Sequence, residues 1–312
     1  MNRIALIGAN SQICKDFIRS NAVTGSAELL LFVRNVDAMS DWLADIGLPG
    51  RYPVFGYSQY AQQPHDAVIN FVGVGDPSKA ALMGADILDI TLRFDELVIA
   101  ELRKHPERRY IFISSGAVYG ERFDQAASED TVATYSVNSL GAQNYYAIAK
   151  LHAEMRHRAL TDLAIIDVRV FNYFSRHQTL DSRFFIVDAV NSIISSTVFR
   201  TSPDHMVRDF LHPNDFYQLI ICLLAAGLQN TVVDCYSAEP LDKEILLEAL
   251  AKDFGLQYEF VMGLAAPINA TGTKRLYYST FRRAAEFGYR PKYSSLDTLR
   301  VEFSALLDCR DK

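Results

Sequence analysis

The feature that most constrains this chain is an alternation: short, nearly unbroken apolar runs recur, each followed by a stretch with helical spacing. Leu29–Val33 and Ala67–Gly73 are the clearest runs, and Arg3–Gly8, Tyr110–Ser115 and Leu163–Phe171 read the same way. A strand exposed on one side alternates apolar and polar residues, so runs like these suit parallel strands covered on both faces. Between them, Gln12–Ser20, Ala85–Lys104 and Ala142–Ala159 carry helical periodicity, the second closed by His105-Pro106. Strand–helix alternation of this kind predicts an α/β fold built on a parallel sheet.

Beyond about Phe174 the rhythm loosens. Asp181–Ser195, Asp215–Leu228, Leu241–Phe254 and Ser279–Phe287 read as helices, and Val232–Tyr236 as a short strand. The expected organisation is a doubly wound sheet domain over residues 1–174, with elements returning to it at about 213–236. Residues 175–212 and 237–312 would form a smaller α/β substrate-binding lobe. A length of 312 residues is enough for both units.

Charge and cysteine usage narrow the function classes. The formal net charge is −6, which argues against a nucleic-acid partner but leaves room for an anionic small ligand held by a few arginines. Cys14, Cys222, Cys235 and Cys309 show no metal-ligand or disulfide spacing, so no metal site is expected. The longest apolar run, Leu219–Leu228, is too short to cross a bilayer. The N-terminal run reads as a strand entering a Gly turn rather than a cleavable leader. A cytoplasmic protein without a membrane partner is the expectation.

Three local patterns carry chemistry. Gly8-Ala9-Asn10-Ser11-Gln12-Ile13-Cys14 joins the first strand to the first helix. A phosphate at that helix N-terminus would meet free N–H groups and the positive end of the dipole. The dinucleotide fingerprint has Gly at three positions of such a turn. Only Gly8 keeps it; Ser11 and Cys14 are small replacements. The second strand ends at Arg34-Asn35. An acid near this point would bind the ribose hydroxyls of NAD(H), whereas Arg34, assisted by Asn35, can receive the 2′-phosphate of NADP(H). NADP(H) is therefore favoured and NAD(H) is possible, with Asp37 as the competing acid. Finally, Tyr146 and Lys150 are four residues apart, on one face of the predicted helix. An ammonium beside a phenol favours the phenolate, which suggests a tyrosine pKa lowered towards neutrality and a proton-transfer role.

With these residues in view, the chain resembles the extended short-chain dehydrogenase/reductases, in particular the nucleotide-sugar epimerases, dehydratases and reductases. The likeness runs through nearly the whole chain. It comprises the degenerate glycine turn, Ser114-Ser115-Gly116-Ala117-Val118-Tyr119-Gly120 at a strand end, and Tyr146 with Lys150. It continues through Arg169-Val170-Phe171-Asn172, Arg208-Asp209-Phe210-Leu211-His212-Pro213-Asn214-Asp215 and Gly288-Tyr289-Arg290-Pro291. The resemblance implies a Rossmann-type sheet and a catalytic set of Ser115, Tyr146 and Lys150. Gly8, Asn10, Ser11, Gln12, Ile13, Phe71, Val72 and Gly73 would join Arg34 and Asn35 around the cofactor. It also implies that Asn172, His177, Arg208 and His212 face a nucleotide-sugar substrate. A homodimer through the helices at 85–104 and 142–159 is implied as well, with Leu88, Phe94, Leu97 and Leu102 buried either there or against the sheet.

Departures from the family pattern matter. Dehydratases that resemble this chain carry an Asp-Glu pair after the strand-end hydroxyl, where Gly116 and Ala117 stand here. Relatives that both reduce and epimerise place a Cys at Gly116 and a His at His177. Three activities then stay open. They are NADPH-dependent reduction of a 4-keto group on a nucleotide-linked deoxysugar, favoured through Arg34; an NAD-dependent 4-epimerase; and a non-catalytic NADP-binding regulator.

Overall fold

The apolar runs become the strands of one parallel sheet. In a computed structural model that describes residues 3–308 except 26, 75–79, 81, 183 and 264–273, the first six strands are β1 (Arg3–Ile7), β2 (Glu28–Val33), β3 (Val54–Gly56), β4 (Ala67–Asn70), β5 (Arg109–Ser115) and β6 (Ile165–Val170). Four two- or three-residue strands follow: β7 (Asn172–Tyr173), β8 (Phe199–Thr201), β9 (Val207–Arg208) and β10 (Phe210–Leu211). After them comes β11 (Thr231–Asp234). The seven-stranded sheet runs β11-β6-β5-β4-β1-β2-β3, all neighbours parallel. Strand order reverses between β1 and β4, the switch point at which doubly wound sheets open a crevice beyond their carboxyl ends.

Side-chain alternation explains why these runs had to be apolar throughout. Ile4 and Leu6 of β1, Leu29 and Leu31 of β2 and Ile111 and Ile113 of β5 enter one core. Their neighbours Ala5, Ile7, Leu30, Phe32, Tyr110 and Phe112 enter the core on the other face. Eight α-helices are described: α1 (Gln12–Thr24), α2 (Val36–Asp45), α3 (Asp86–Leu102), α4 (Ala142–Ala159), α5 (Phe185–Ile194), α6 (Pro213–Ala225), α7 (Lys243–Phe254) and α8 (Ser295–Asp308). α1 packs beside α6, and α3 beside α4. Phe94, Leu97 and Leu102 of α3 cover the second core. No helix among the described residues is long and apolar enough to cross a membrane.

A separate core, including Phe174, Val187, Leu247, Leu299 and Phe303, holds α5, α7 and α8. Around it lie β12 (Leu241–Asp242), β13 (Tyr258–Phe260) and β14 (Leu276–Tyr277). β9 sits between β12 and β14, and β8 pairs with β13. β11 returns to the main sheet beside β6, and α6 contributes Phe216, Leu219, Ile220 and Leu223 to the first core.

The structure departs from the sequence reading in places. α2 was not expected, yet Asn35 caps it by accepting the Ala38 N–H at 3.0 Å. α8 was also not expected. The helix predicted over Ser279–Phe287 is only a 3₁₀ turn at Arg283–Phe287, closed by Gly288 at φ 86°. Ser279 is drawn out of helical geometry because its hydroxyl donates to Asp234 at 2.6 Å. Cys309 lies outside the described residues.

Candidate active site

The first turn of α1 and the ends of β4 and β5 share a cavity of about 1060 Å³ with the substrate-side segments. Its cofactor side starts at Gly8, φ 77°. A β-carbon there would stand 3.0 Å from Val72 Cγ2 and 3.1 Å from the Val72 nitrogen, so the turn admits only glycine. Asn10, Ser11, Gln12 and Ile13 line the cavity. Ser11 caps α1, accepting from the Cys14 N–H at 3.3 Å, which explains how the turn tolerates losing its second glycine. Cys14 is buried in the core, where its small size lets helix and sheet approach. Phe71 and Gly73 line the cavity, whereas Val72 turns its side chain into the second core and gives its carbonyl to Lys150. Arg34 is exposed at the end of β2, and Asp37 is exposed in the first turn of α2. Asn35 spends its side-chain oxygen on the α2 cap, leaving only its amide nitrogen for a ligand. A tight glycine turn, a helix N-terminus at the switch point and a neighbouring arginine together fit a dinucleotide.

The catalytic candidates come from β5 and α4. Lys150 is buried, donates to the carbonyls of Val72 (3.1 Å) and Ile113 (2.8 Å), and lies 4.3 Å from the centre of the Phe112 ring. Burial lowers its pKa to about 8, against the pull of Asp95, Glu154 and Asp167. Tyr146 lines the same cavity as Ser115, whose hydroxyl acts to lower the Tyr146 pKa. The expectation that Lys150 depresses the Tyr146 pKa does not hold here. Burial raises that pKa, and Ser115 offsets only part of the rise. The reason is geometric: the ammonium is held by two backbone carbonyls. Ser115 ends β5 and accepts from the Ala117 N–H at 3.2 Å, starting the 3₁₀ turn Gly116–Tyr119.

The same hydroxyl also acts on Tyr277, a buried phenol lining the cavity that the sequence reading did not single out. Tyr277 packs against Phe171 and Phe123, with centroids 5.1 and 4.9 Å away. Phe171 in turn lies on Gly116, where a β-carbon would fall 2.4 Å from its Cδ1. The position that holds an acid in dehydratases is thus sterically closed by an aromatic ring.

The substrate candidates divide. Asn172 and Arg208 line the cavity. Asn172 ties β7 to the carbonyls of Asp209 and Tyr277 at 3.3 and 3.4 Å. Arg208 donates to the carbonyls of Val207 and Arg275, and burial lowers its pKa to about 10. His177 and His212 do not reach the cavity. His177 is exposed and its backbone N–H donates to Ser175, while Gln178 does the lining. His212 is buried, caps α6 through Asn214, stacks on Tyr293 at 3.8 Å and stands 3.2 Å from Glu302. It is a structural residue, fixed by the need to start α6. Lys274 was missed altogether; it is 6% exposed and lines the cavity. Seven cationic side chains line this cavity against two carboxylates, Asp188 and Asp204, on a chain of net charge −6. The field there favours an anionic ligand.

Solved structures share this architecture. UDP-glucuronic acid 4-epimerase from Bacillus cereus, in complex with UDP-glucuronic acid and NAD, superposes with a TM-score of 0.78 at 16% identity, covering 98% of this chain and 99% of the other. UDP-glucose 4-epimerase from Thermotoga maritima with UDP-glucose gives 0.78 at 14% identity, covering 99% of each chain. dTDP-glucose 4,6-dehydratase from Bacillus anthracis in complex with NAD gives 0.77 at 16%, covering 100% of this chain and 98% of the other. At such identities the likeness is one of fold. No curated protein matches the chain by sequence. A family model described as the NAD dependent epimerase/dehydratase family matches residues 58–235, more than half of the chain and the stretch that carries Ser115, Tyr146, Lys150, Asn172 and Arg208. The chain therefore belongs to the NAD dependent epimerase/dehydratase family.

Proposed function

We propose that the protein is an enzyme that moves hydride and proton at C4 of a nucleotide-linked sugar. The observation that carries this reading is the meeting of Ser115, Tyr146 and Lys150 at one cavity beside the β1 glycine turn. A nicotinamide bound there supplies or takes the hydride. Tyr146 gives a proton to the sugar oxygen or removes one, and its raised pKa suits it to donating. Ser115 lines the cavity with Tyr146 and would orient the same oxygen. Lys150, anchored on two carbonyls, offers its remaining donor capacity to the cofactor ribose. Asn172 and Arg208 would hold the diphosphate. With glycine and alanine at positions 116 and 117, no side chain at those positions could eliminate water.

Reduction of a 4-keto group by NADPH is the first form of this reading, supported by Arg34 at the end of β2. NAD-dependent 4-epimerisation is the second, supported by the NAD and UDP-sugars bound in the neighbouring structures. A homodimer through α3 and α4 belongs to the same proposal. Met155 of α4 is 64% exposed and would be covered there, so a monomeric mass by light scattering would remove that part.

The test supplies NADPH and a nucleotide-4-keto-6-deoxysugar, follows absorbance, and separately incubates UDP-glucose and UDP-glucuronic acid with catalytic NAD. NADPH consumption supports the reductase, and redox-neutral interconversion the epimerase. Tyr146→Phe is expected to lower kcat about 10²- to 10⁴-fold in either case while cofactor binding persists. Cofactor binding without turnover of any sugar nucleotide would leave a regulator instead.

A further inference from the structure

Lys274 is a buried ammonium without an ion-pair partner among the described residues. Its side chain is 6% exposed and lines the cavity, and its Nζ lies 4.6 Å from the centres of both the Phe123 and Tyr277 rings. Among the described residues it makes no hydrogen bond and no ion pair within 4 Å. The acid that acts on it most, Glu121, accepts a hydrogen bond from the Asn144 amide. Two aromatic faces stabilise a cation only modestly. Burying a charge is costly unless a counter-charge closes it. Burial accordingly drives the Lys274 pKa down to about 7, and the neighbouring Arg208 adds to the fall. A positive group kept at that cost on a cavity wall is placed for a negative group that arrives with the ligand.

Its location tells which part of the ligand that is. Tyr277, beneath the ammonium, lines the cavity together with Ser115, whose hydroxyl acts on its phenol. Phe123, the other ring, belongs to the aromatic cluster with Tyr119, Phe171 and Tyr277 that walls the Ser115–Gly116 end of the site. Lys274 therefore stands one tyrosine ring away from the hydroxyl that would touch the reacting sugar oxygen. Arg208, 5.9 Å from the same ring, is tied to the carbonyls of β9 and of Arg275 and is the cation offered to the diphosphate.

From this juxtaposition we propose that Lys274 is a specificity residue that binds a carboxylate carried by the sugar, so that the substrate is a nucleotide-linked uronic acid rather than a neutral hexose. The proposal rests on the 4-epimerase form of the nucleotide-sugar reading above, because a 6-deoxysugar carries no carboxylate at C6. It needs no covalent step: a charge-assisted hydrogen bond forms between Nζ and the carboxylate, and the bound anion keeps the lysine protonated.

The test measures calorimetric binding of UDP, UDP-glucose and UDP-glucuronic acid to the full chain with NAD and to its Lys274→Met variant. Wild type is expected to prefer UDP-glucuronic acid over UDP-glucose by about tenfold to a hundredfold, the range of a hydrogen bond to a charged group. Lys274→Met is expected to erase that preference while leaving UDP and UDP-glucose affinities within about twofold, which also shows that the variant is folded. Lys274→Arg, which keeps the charge, is expected to retain part of the preference. Equal wild-type affinities for the two sugars would overturn the proposal. So would an undiminished preference in Lys274→Met, or equal weakening of all three ligands, which would make Lys274 a phosphate contact. If wild type binds none of the three, the nucleotide-sugar reading itself fails, and this inference with it.

Discussion

Two groups of buried charge meet near α4, and they are finished differently. On the core side every charge is closed by protein. His157 lies between Asp95 and Asp167 at 2.7 and 2.6 Å, with Arg156 and Arg158 on the outer oxygens at 3.0 and 2.7 Å. Glu154 meets Arg169 at 2.6 Å and Ser114 at 2.5 Å, and Arg169 reaches Tyr119 and Asp234. On the cavity side, Lys150, Arg208 and Lys274 meet only carbonyls or rings among the described residues. The pKa directions of the cations separate the two groups, although burial also raises the Glu154 and Asp234 carboxyls of the network. Within the network, His157 and Arg169 are raised because acids outweigh burial. At the cavity, Lys150, Arg208 and Lys274 are lowered because burial wins. A buried charge closed by protein supports the fold, whereas one left open marks where a ligand is to go.

That difference breaks first if stability and activity do not part company. Glu154→Ala strips a buried arginine of its partner and is expected to cost about 3–5 kcal/mol in denaturant unfolding. Lys150→Met removes a cation that forms no ion pair within 4 Å among the described residues. It is expected to leave stability within about 1 kcal/mol, or raise it, while turnover falls. Equal stability losses in the two variants would erase the distinction between network and cavity.

The next test is steric. Gly116 looks from the sequence like a mere absence of acid or thiol, but the structure makes it a requirement, with Phe171 lying where a β-carbon would go. Gly116→Ala is expected to cost about 1–3 kcal/mol, the usual penalty of overpacking. A Phe171→Leu background should recover part of that loss in a double-mutant cycle. Additive losses would mean that the ring and the glycine are uncoupled.

How much of this was legible follows from the same physics. The cofactor side is made of backbone at strand ends, and strands announce themselves through apolar runs. Gly8, the α1 turn and the Tyr146/Lys150 pair were therefore readable by position and spacing. The sugar side is assembled from side chains far apart in sequence: Ser115, Phe171, Arg208, Lys274 and Tyr277. Nothing local to Lys274 or Tyr277 signals that β14 lies against β9 and brings both to Ser115. His212 misled for the converse reason. It lies in a motif for which the family resemblance implied a substrate contact, yet its ring is used to start α6 and to stack on Tyr293. Asn35 had a double meaning, since a residue suited to a ribose is also a good helix cap.

The smallest expected effect tests the closed side alone. Burial opposes the charge on His157, but Asp167 and Asp95 overcome it and hold the imidazolium up to about pKa 9. In an unfolded chain the same group titrates near 6.5. The folded pKa is the higher one, so the stabilisation is fully present below about pH 6.5 and is lost as pH rises through 9. Linkage then sets a decline of about 1 kcal/mol per pH unit between pH 7 and 9 from this one group. His157→Gln keeps hydrogen-bonding capacity without a titrating proton. The wild-type denaturation midpoint should therefore fall across that window relative to the variant's, and the two curves should be parallel below pH 6. An unchanged difference from pH 6 to 9 would show that His157 is neutral between its two aspartates and that the core network is not held by an imidazolium.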